Sequence, residues 1–290
     1  MADLERARAG GSGQPLVERV SPTRSRQHGP TQRAPVWHSG SAGSLVWVTV
    51  VLLLGATLAW EIAARREAMS TLLFPAPSTT LATFGRLVAD GSLPTAVGAT
   101  LRRVGGALLL GGVSGLGLGL LIGWQARLRS LVDPLIALTH PIPKIALLPV
   151  FLLIFGIGET AILALVSMTA FFPMAINSMA GVRQINPGYF AVAASYRASR
   201  RLVLRRVVFP ASLPFALAGL RLALNSTLVV TIAVELVSAS SGLGATIWMA
   251  WETLRTEELY ATLLLIAAIG VTGNAALAAL ERWVAPWRDS

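Results

Sequence analysis

The residues able to do chemistry in this chain are few and far apart. There is no cysteine, which excludes disulfides and thiolate metal sites. The three histidines, His28, His38 and His140, are too scattered to hold a metal ion. The only lysine is Lys144, in the run Pro143-Lys144-Ile145. A phosphate-cradling GxxxxGK[ST] loop needs a lysine directly after glycine. The chain therefore cannot bind ATP through that motif, and ATP-driven work would fall to a separate subunit. No group of His, Asp or Glu has catalytic spacing, so the reading is a non-enzyme with no cofactor and no metal. What remains is a set of polar residues inside apolar runs: Lys144, Asn177, Arg221 and Glu235. Ionisable groups there are costly and often functional, which makes the four candidates for a translocation path. Arg221 and Lys144 also suit an interface role, since a long basic side chain reaches water by snorkelling. Glu235 stands evenly between structural pairing and lining the path.

The elements that position these residues follow from composition. Hydrophobic residues make up 54% of the 290 and charged residues 13%, about half the charged share of a soluble domain. The apolar residues gather into runs near the ~20 residues that cross ~30 Å of hydrocarbon. These runs predict spans at Leu45–Ile62, Val104–Trp124, Ala161–Ala180, Phe215–Val237 and Leu259–Leu280. A further stretch, Leu131–Gly158, is interrupted by Pro134, Pro141, Pro143 and Pro149. It reads as a helix broken near its start, or as a surface segment feeding a span from about Ile145. Residues 1–44, rich in Gly, Ser, Pro, Gln and Arg, read as a disordered basic tail. The fold class is thus an all-α polytopic membrane protein with about six spans, its membrane domain running over residues 45–290.

The net charge of +10 does not point to nucleic acid, because the arginines lie between apolar runs. Six arginines precede the first span, Arg127 and Arg129 follow the second, and Arg183, Arg197, Arg200, Arg201, Arg205 and Arg206 fall in the loop 181–214, which has no acidic residue. With six spans these segments share one side, which the positive-inside rule makes cytoplasmic, with both termini. Arg65, Arg66, Arg86, Arg102 and Arg103 fall on the other side and run against the rule.

Within the second run, Gly111, Gly115, Gly119 and Gly123 recur every four residues. They line one helix face and predict close approach of another helix, within the chain or between subunits.

The most informative segment is the loop GVRQINPGYFAVAASYRASRRLVLRRVVFPASLP at 181–214. It is long and basic yet carries apolar periodicity, and it predicts two short helices, one over 189–196 and a second capped by Ser199. Pro210 and Pro214 then return the chain to the membrane. Ordered sequence of this length in a cytoplasmic loop suits a docking surface for a soluble partner.

These residues carry a resemblance. Permeases of ABC-type importers have a cytoplasmic signature of Glu-Ala-Ala, a Gly four residues after the second Ala, and Ile-x-Leu-Pro, with the Pro 19 residues after the Glu. Aligned on Pro210, the signature puts its second Ala on Ala193 and its Ile and Leu on Val207 and Phe209. The Glu falls on Ala191, the first Ala on Val192 and the Gly on Arg197. The segments at 72–87, 141–159, 170–183, 205–224 and 233–244 are similar to the nitrate/sulfonate/taurine branch of that family, so the resemblance covers about residues 45–288.

The resemblance implies a type I ABC importer permease fold in the bacterial inner membrane. It implies that two permease subunits, expected as a homodimer, form the pathway in membrane lipid. An external binding protein would deliver a small solute, such as a sulfonate, taurine, nitrate or a thiamine-precursor pyrimidine. ATPase subunits would bind the ATP and dock on the loop, where Ala191, Ala193, Ser195, Arg197, Ala198, Ser199 and Pro210 are the expected coupling residues. The competing reading is an ion-coupled secondary transporter, which would show more midplane ionisable groups or paired broken helices in two halves.

Overall fold

Why the charged pair Arg102-Arg103 does not end a helix is visible in the computed structural model, which describes residues 42–238 and 240–284. The helix that was expected to begin at Val104 begins at Ser92 and runs to Trp124. Arg103 lies inside it, buried and paired, so its charge costs far less than the sequence alone suggests. The basic tail expected over 1–44 lies outside the described residues as far as residue 41.

Ten helices are described: α1 (Ala42–Arg65), α2 (Pro77–Ala89), α3 (Ser92–Trp124), α4 (Ala126–Thr139), α5 (Lys144–Phe155), α6 (Glu159–Arg183), α7 (Pro187–Ser195), α8 (Arg200–Ser238), α9 (Leu243–Glu252) and α10 (Thr256–Val284). Five of them, α1 from Trp47, α3, α6, α8 and α10, are long and apolar enough to cross a membrane. Residues to Val51 and from Leu52 onward are two separate units. Of the first, the start of α1 is described, with Trp47, Val48 and Val51 exposed. The packing below is that of the second.

The glycine row of α3 meets α6. A Cβ at Gly115 would sit 2.5 Å from the carbonyl oxygen of Phe171, and one at Gly119 would sit 2.5 Å from that of Ala175. One at Gly123 would lie 2.8 Å from Val182 Cβ. The expected close approach is therefore realised within the chain. Because both numberings rise together along the contact, α3 and α6 run parallel. On the other side of α6, Gly181 faces Ser212 and Phe215 while Gly219 faces Pro173 and Asn177, so α8 runs antiparallel to it.

This parallel pairing settles the prolines between them. The chain leaves α3 at one end of the bundle and must enter α6 at the other, so residues 125–158 cross the membrane. They do so as α4 and α5, bent by 89° at the break carrying Pro141 and Pro143. Lys144–Phe155 rises only about 18 Å at 1.5 Å per residue, too short to cross ~30 Å alone. The interrupted stretch is a broken span made of two helices, and the sixth crossing.

Apolar clusters hold the two ends. At one end Leu93, Ala96, Leu243 and Ala261 pack together, and at the other Leu120, Val182, Ile185 and Val208 do so, with Trp124 and Phe190 against them.

Candidate coupling loop and buried polar cluster

The loop that was expected to carry two short helices carries one. Asn186 leads into α7, its side-chain oxygen accepting from the Gly188 N–H at 2.8 Å, with Pro187 at the first helical position. Such a cap contributes about 1 kcal/mol. Phe190 anchors α7 by packing on the apolar cluster of Leu120, Val182 and Val208.

The helix ends in a Schellman turn. The N–H of Arg197 donates to the Ala194 carbonyl at 2.9 Å and that of Ala198 to the Ala193 carbonyl at 2.9 Å. This pattern requires a left-handed residue between them, and Arg197 takes it with φ +50°. A glycine there is unstrained, whereas a side chain costs roughly 1 kcal/mol or more. Ala193 and Ala198 are half-buried, as the two positions that touch across such a turn. The turn geometry thus accounts for a signature of small residue and glycine, and Arg197 keeps the geometry without the glycine.

Ser199 caps the next helix as expected, accepting from the Leu202 N–H at 3.3 Å. That helix is not a separate short element: it is the first turn of α8, which continues for 39 residues to Ser238. Pro210 does not break it. A proline lacks an N–H and collides with the carbonyl four residues back. The helix widens into a π turn over Leu204–Val208 just before it, which relieves that conflict.

The expected coupling residues lie along this loop, with Ala191, Ser195, Arg197 and Ser199 exposed and Ala193, Ala198 and Pro210 half-buried. Ser195 is turned onto its own helix, donating to the Ala191 carbonyl at 3.1 Å. The sequence reading passed over the larger side chains. Tyr189, Val192 and Tyr196 are 63%, 57% and 84% exposed and form one face of α7, since three and four residues separate them. Their spacing was the signal available. A cavity of about 360 Å³ lined by Tyr189, Arg206 and Pro210 lies between this helix and the start of α8.

The opposite end holds a buried polar cluster. Arg103, 5% exposed, donates from Nη1 to Glu235 Oε1 at 2.7 Å and to the Ser241 carbonyl at 2.6 Å. It also donates from Nε to Glu159 Oε2 at 2.9 Å, and Nη2 pairs with Glu159 Oε1. Glu235 is wholly buried and also accepts from the Thr100 hydroxyl and, at 3.0 Å, from the Gly244 N–H. Gly242, at φ +113°, leaves room for that carboxylate, which any side chain at this position would strike. The sequence reading named Glu235 but not Arg103, Glu159 or Thr100, because these partners stand 56 to 135 residues apart along the chain.

The four candidate path residues are not brought together. Glu235 sits in this cluster. Arg221, at the other end, pairs with Glu281 at 2.9 Å. Asn177 is half-buried against Gly219 and donates to the Pro173 carbonyl at 2.8 Å. Lys144 lies at the break between α4 and α5, its Nζ donating to the His140 carbonyl and 5.0 Å from the Phe172 ring centroid. That level is about 16 Å short of Arg183 along α6.

An all-helical bundle of six crossings, with an ordered helix projecting at one end and no catalytic constellation among its described residues, is the architecture of a membrane transport permease. The chain belongs to the family of binding-protein-dependent transport system inner membrane components, whose family model matches residues 115–290. It is 30% identical to a Bacillus subtilis (strain 168) protein that bears the name of an aliphatic sulfonates transport permease, SsuC, covering 84% of this chain and 89% of that one. It is 33% identical to the taurine transport system permease protein TauC of Escherichia coli (strain K12), covering 79% and 85%. The structure matches a chain of the inward-facing MetNI methionine ABC transporter with a TM-score of 0.59 at 20% identity, covering 68% of this chain and 97% of that one. The fold is that of type I ABC importer permeases.

Proposed function

We propose that this chain is the pathway-forming subunit of an ATP-driven importer in the bacterial inner membrane, and that α7 is where a separate ATPase subunit docks. The observation that carries this reading is the Schellman turn at Arg197, which holds α7 out from the bundle with Tyr189, Val192 and Tyr196 exposed. A rigid helix fixed at both ends transmits a displacement, whereas a flexible loop absorbs it. Movement of the docked ATPase would reach α6 through Phe190 and α8 through the Ser199 cap.

Ion pairing supports the orientation. At the end holding the polar cluster, Arg65, Arg86, Arg103 and Arg255 each face a carboxylate. At the α7 end, Arg127, Arg129, Arg183, Arg197, Arg200, Arg201, Arg205 and Arg206 have no ion pair among the described residues. Uncompensated positive charge favours the cytoplasm, so α7 and both termini are read as cytoplasmic. Of the five exceptions that ran against the arginine count, Arg65, Arg86 and Arg103 are paired in place, while Arg66 and Arg102 have no ion pair among the described residues.

The partners in this reading are the ATPase, an external binding protein, a second copy of the permease and membrane lipid. The names of the relatives favour a small anion such as a sulfonate or taurine. Lys144, a half-buried cation at the break between α4 and α5 with no ion pair among the described residues, is the residue best placed to meet it. The test is reconstitution of the full permease with its ATPase and binding protein. Val192→Asp and Tyr196→Asp should abolish ATPase co-purification and transport while leaving membrane levels unchanged. ATPase retention by both variants would overturn the docking site.

A further inference from the structure

Two cavities adjoin at Trp124, where α3 ends. The first, about 370 Å³, is lined by Trp124, Gln125, Arg127 and Arg200. The second, about 620 Å³, runs from Trp124 back along α3 past Leu121, Leu120 and Gly117, with Leu204, Arg205 and Phe209 of α8 as its other wall. Their chemistry differs. The first opens at the end of the span and presents two guanidinium groups that make no ion pair or side-chain hydrogen bond among the described residues. The second is apolar apart from Arg205 and reaches two turns into the span. It owes its width to Gly117, where a Cβ would meet nothing within 4 Å, and to the π turn of α8 at Leu204–Val208.

We propose that this pair of cavities is a binding site for one anionic phospholipid, its phosphate held by Arg127 and Arg200 and an acyl chain lying in the groove over Gly117. Charge complementarity carries the headgroup: uncompensated arginines at a membrane interface attract anionic lipid, and a guanidinium fork fits phosphate oxygens. Depth carries the chain: the groove extends from the interface into the part of α3 that hydrocarbon surrounds, where a soluble partner does not reach. Trp124, at the junction, occupies the level at which interfacial tryptophans anchor. The site lies on α3, α4 and α8, apart from the exposed face of α7, and does not rest on the direction of transport.

The test is native mass spectrometry of the full permease, purified in a neutral detergent and titrated with phosphatidylglycerol, phosphatidylcholine or inorganic phosphate. Wild type should retain one phosphatidylglycerol per chain in preference to phosphatidylcholine. Two guanidinium contacts at roughly a factor of five each predict about 25-fold weaker retention in Arg127→Gln/Arg200→Gln. Gly117→Leu should weaken it comparably with both arginines intact, because it fills the groove, and the open space there spares the fold. Arg127→Lys/Arg200→Lys should restore the charge-dependent part of the binding but not the part owed to the guanidinium fork, which separates lost charge from misfolding. Equal retention of phosphatidylcholine, or unchanged binding in both loss variants, would overturn the proposal. So would displacement of the lipid by millimolar phosphate, which would mark an anion site without a chain. Loss of a second permease copy or of the ATPase in these variants, with lipid retained, would mark the groove as a protein interface instead.

Discussion

Arg103 and Glu235 lie 132 residues apart in the chain and 2.7 Å apart in the structure, both buried. The pair joins α3 to α8, and through Glu159 it also fixes the start of α6. Removing Arg103 leaves the buried Glu235 carboxylate without its ion-pair partner, which costs about 3–5 kcal/mol, and removing Glu235 leaves Arg103 with Glu159 alone; replacing both with apolar groups of similar size is far milder. Arg103→Leu and Glu235→Leu should each sharply lower resistance to unfolding in detergent, and the double variant should recover part of the loss. Additive losses in a double-mutant cycle would show that the two side chains do not act as a unit.

The second prediction concerns Arg197. Glycine suits its left-handed backbone, so Arg197→Gly should stabilise the loop by roughly 1 kcal/mol. The exposed guanidinium makes no ion pair among the described residues, which leaves it available to acidic groups on a docked ATPase. Arg197→Gly is therefore expected to fold at least as well as wild type but to co-purify less ATPase and couple ATP hydrolysis less tightly, with Arg197→Lys intermediate. If Arg197→Gly binds and couples like wild type, the side chain has no part in docking.

Packing of α3 on α6 gives a third expectation. Gly115→Leu and Gly119→Leu drive side chains into the α6 backbone and should cost at least the 1–3 kcal/mol typical of overpacking. Gly117→Leu, two residues away and facing open space, should leave unfolding resistance unchanged. Similar losses at all three positions would overturn the contact account, since helix propensity alone favours leucine over glycine.

Much of this was legible in the sequence, for reasons that can be assigned to residues. The glycine period announced the α3–α6 contact because bare backbone on one helix face has few other uses. Ser199 was readable as a cap because capping is local. The extent of α3 was not, since two arginines normally end a span and their partners are remote in the chain. Nor was the break between α4 and α5 decidable from Pro141 and Pro143 alone; it took the parallel packing of α3 and α6 to require a crossing there. On α7 the small residues drew the sequence reading, while the exposed Tyr189, Val192 and Tyr196 escaped it, because exposure of an apolar face on a short helix is a tertiary fact.

Topology supplies a fourth prediction, made simple by the absence of native cysteine. A cysteine at Ser199 should resist a membrane-impermeant reagent in intact cells and react after permeabilisation. One at exposed Thr95, toward the Arg103 end of α3, should react in intact cells. The reverse pattern would invert the orientation.

The buried cluster also sets an order of assembly. Synthesis delivers Arg103 long before Glu159 and longer still before Glu235 and the glycine turn that seats its carboxylate. While α3 inserts, its guanidinium has no acceptor from this chain and must be hydrated or held by lipid headgroups. The polar cluster cannot close until α8 has entered the membrane. A ribosome stalled before Glu235 would therefore carry a chain in which Arg103 has Glu159 as its one carboxylate partner, and the cluster closes only when α8 is complete.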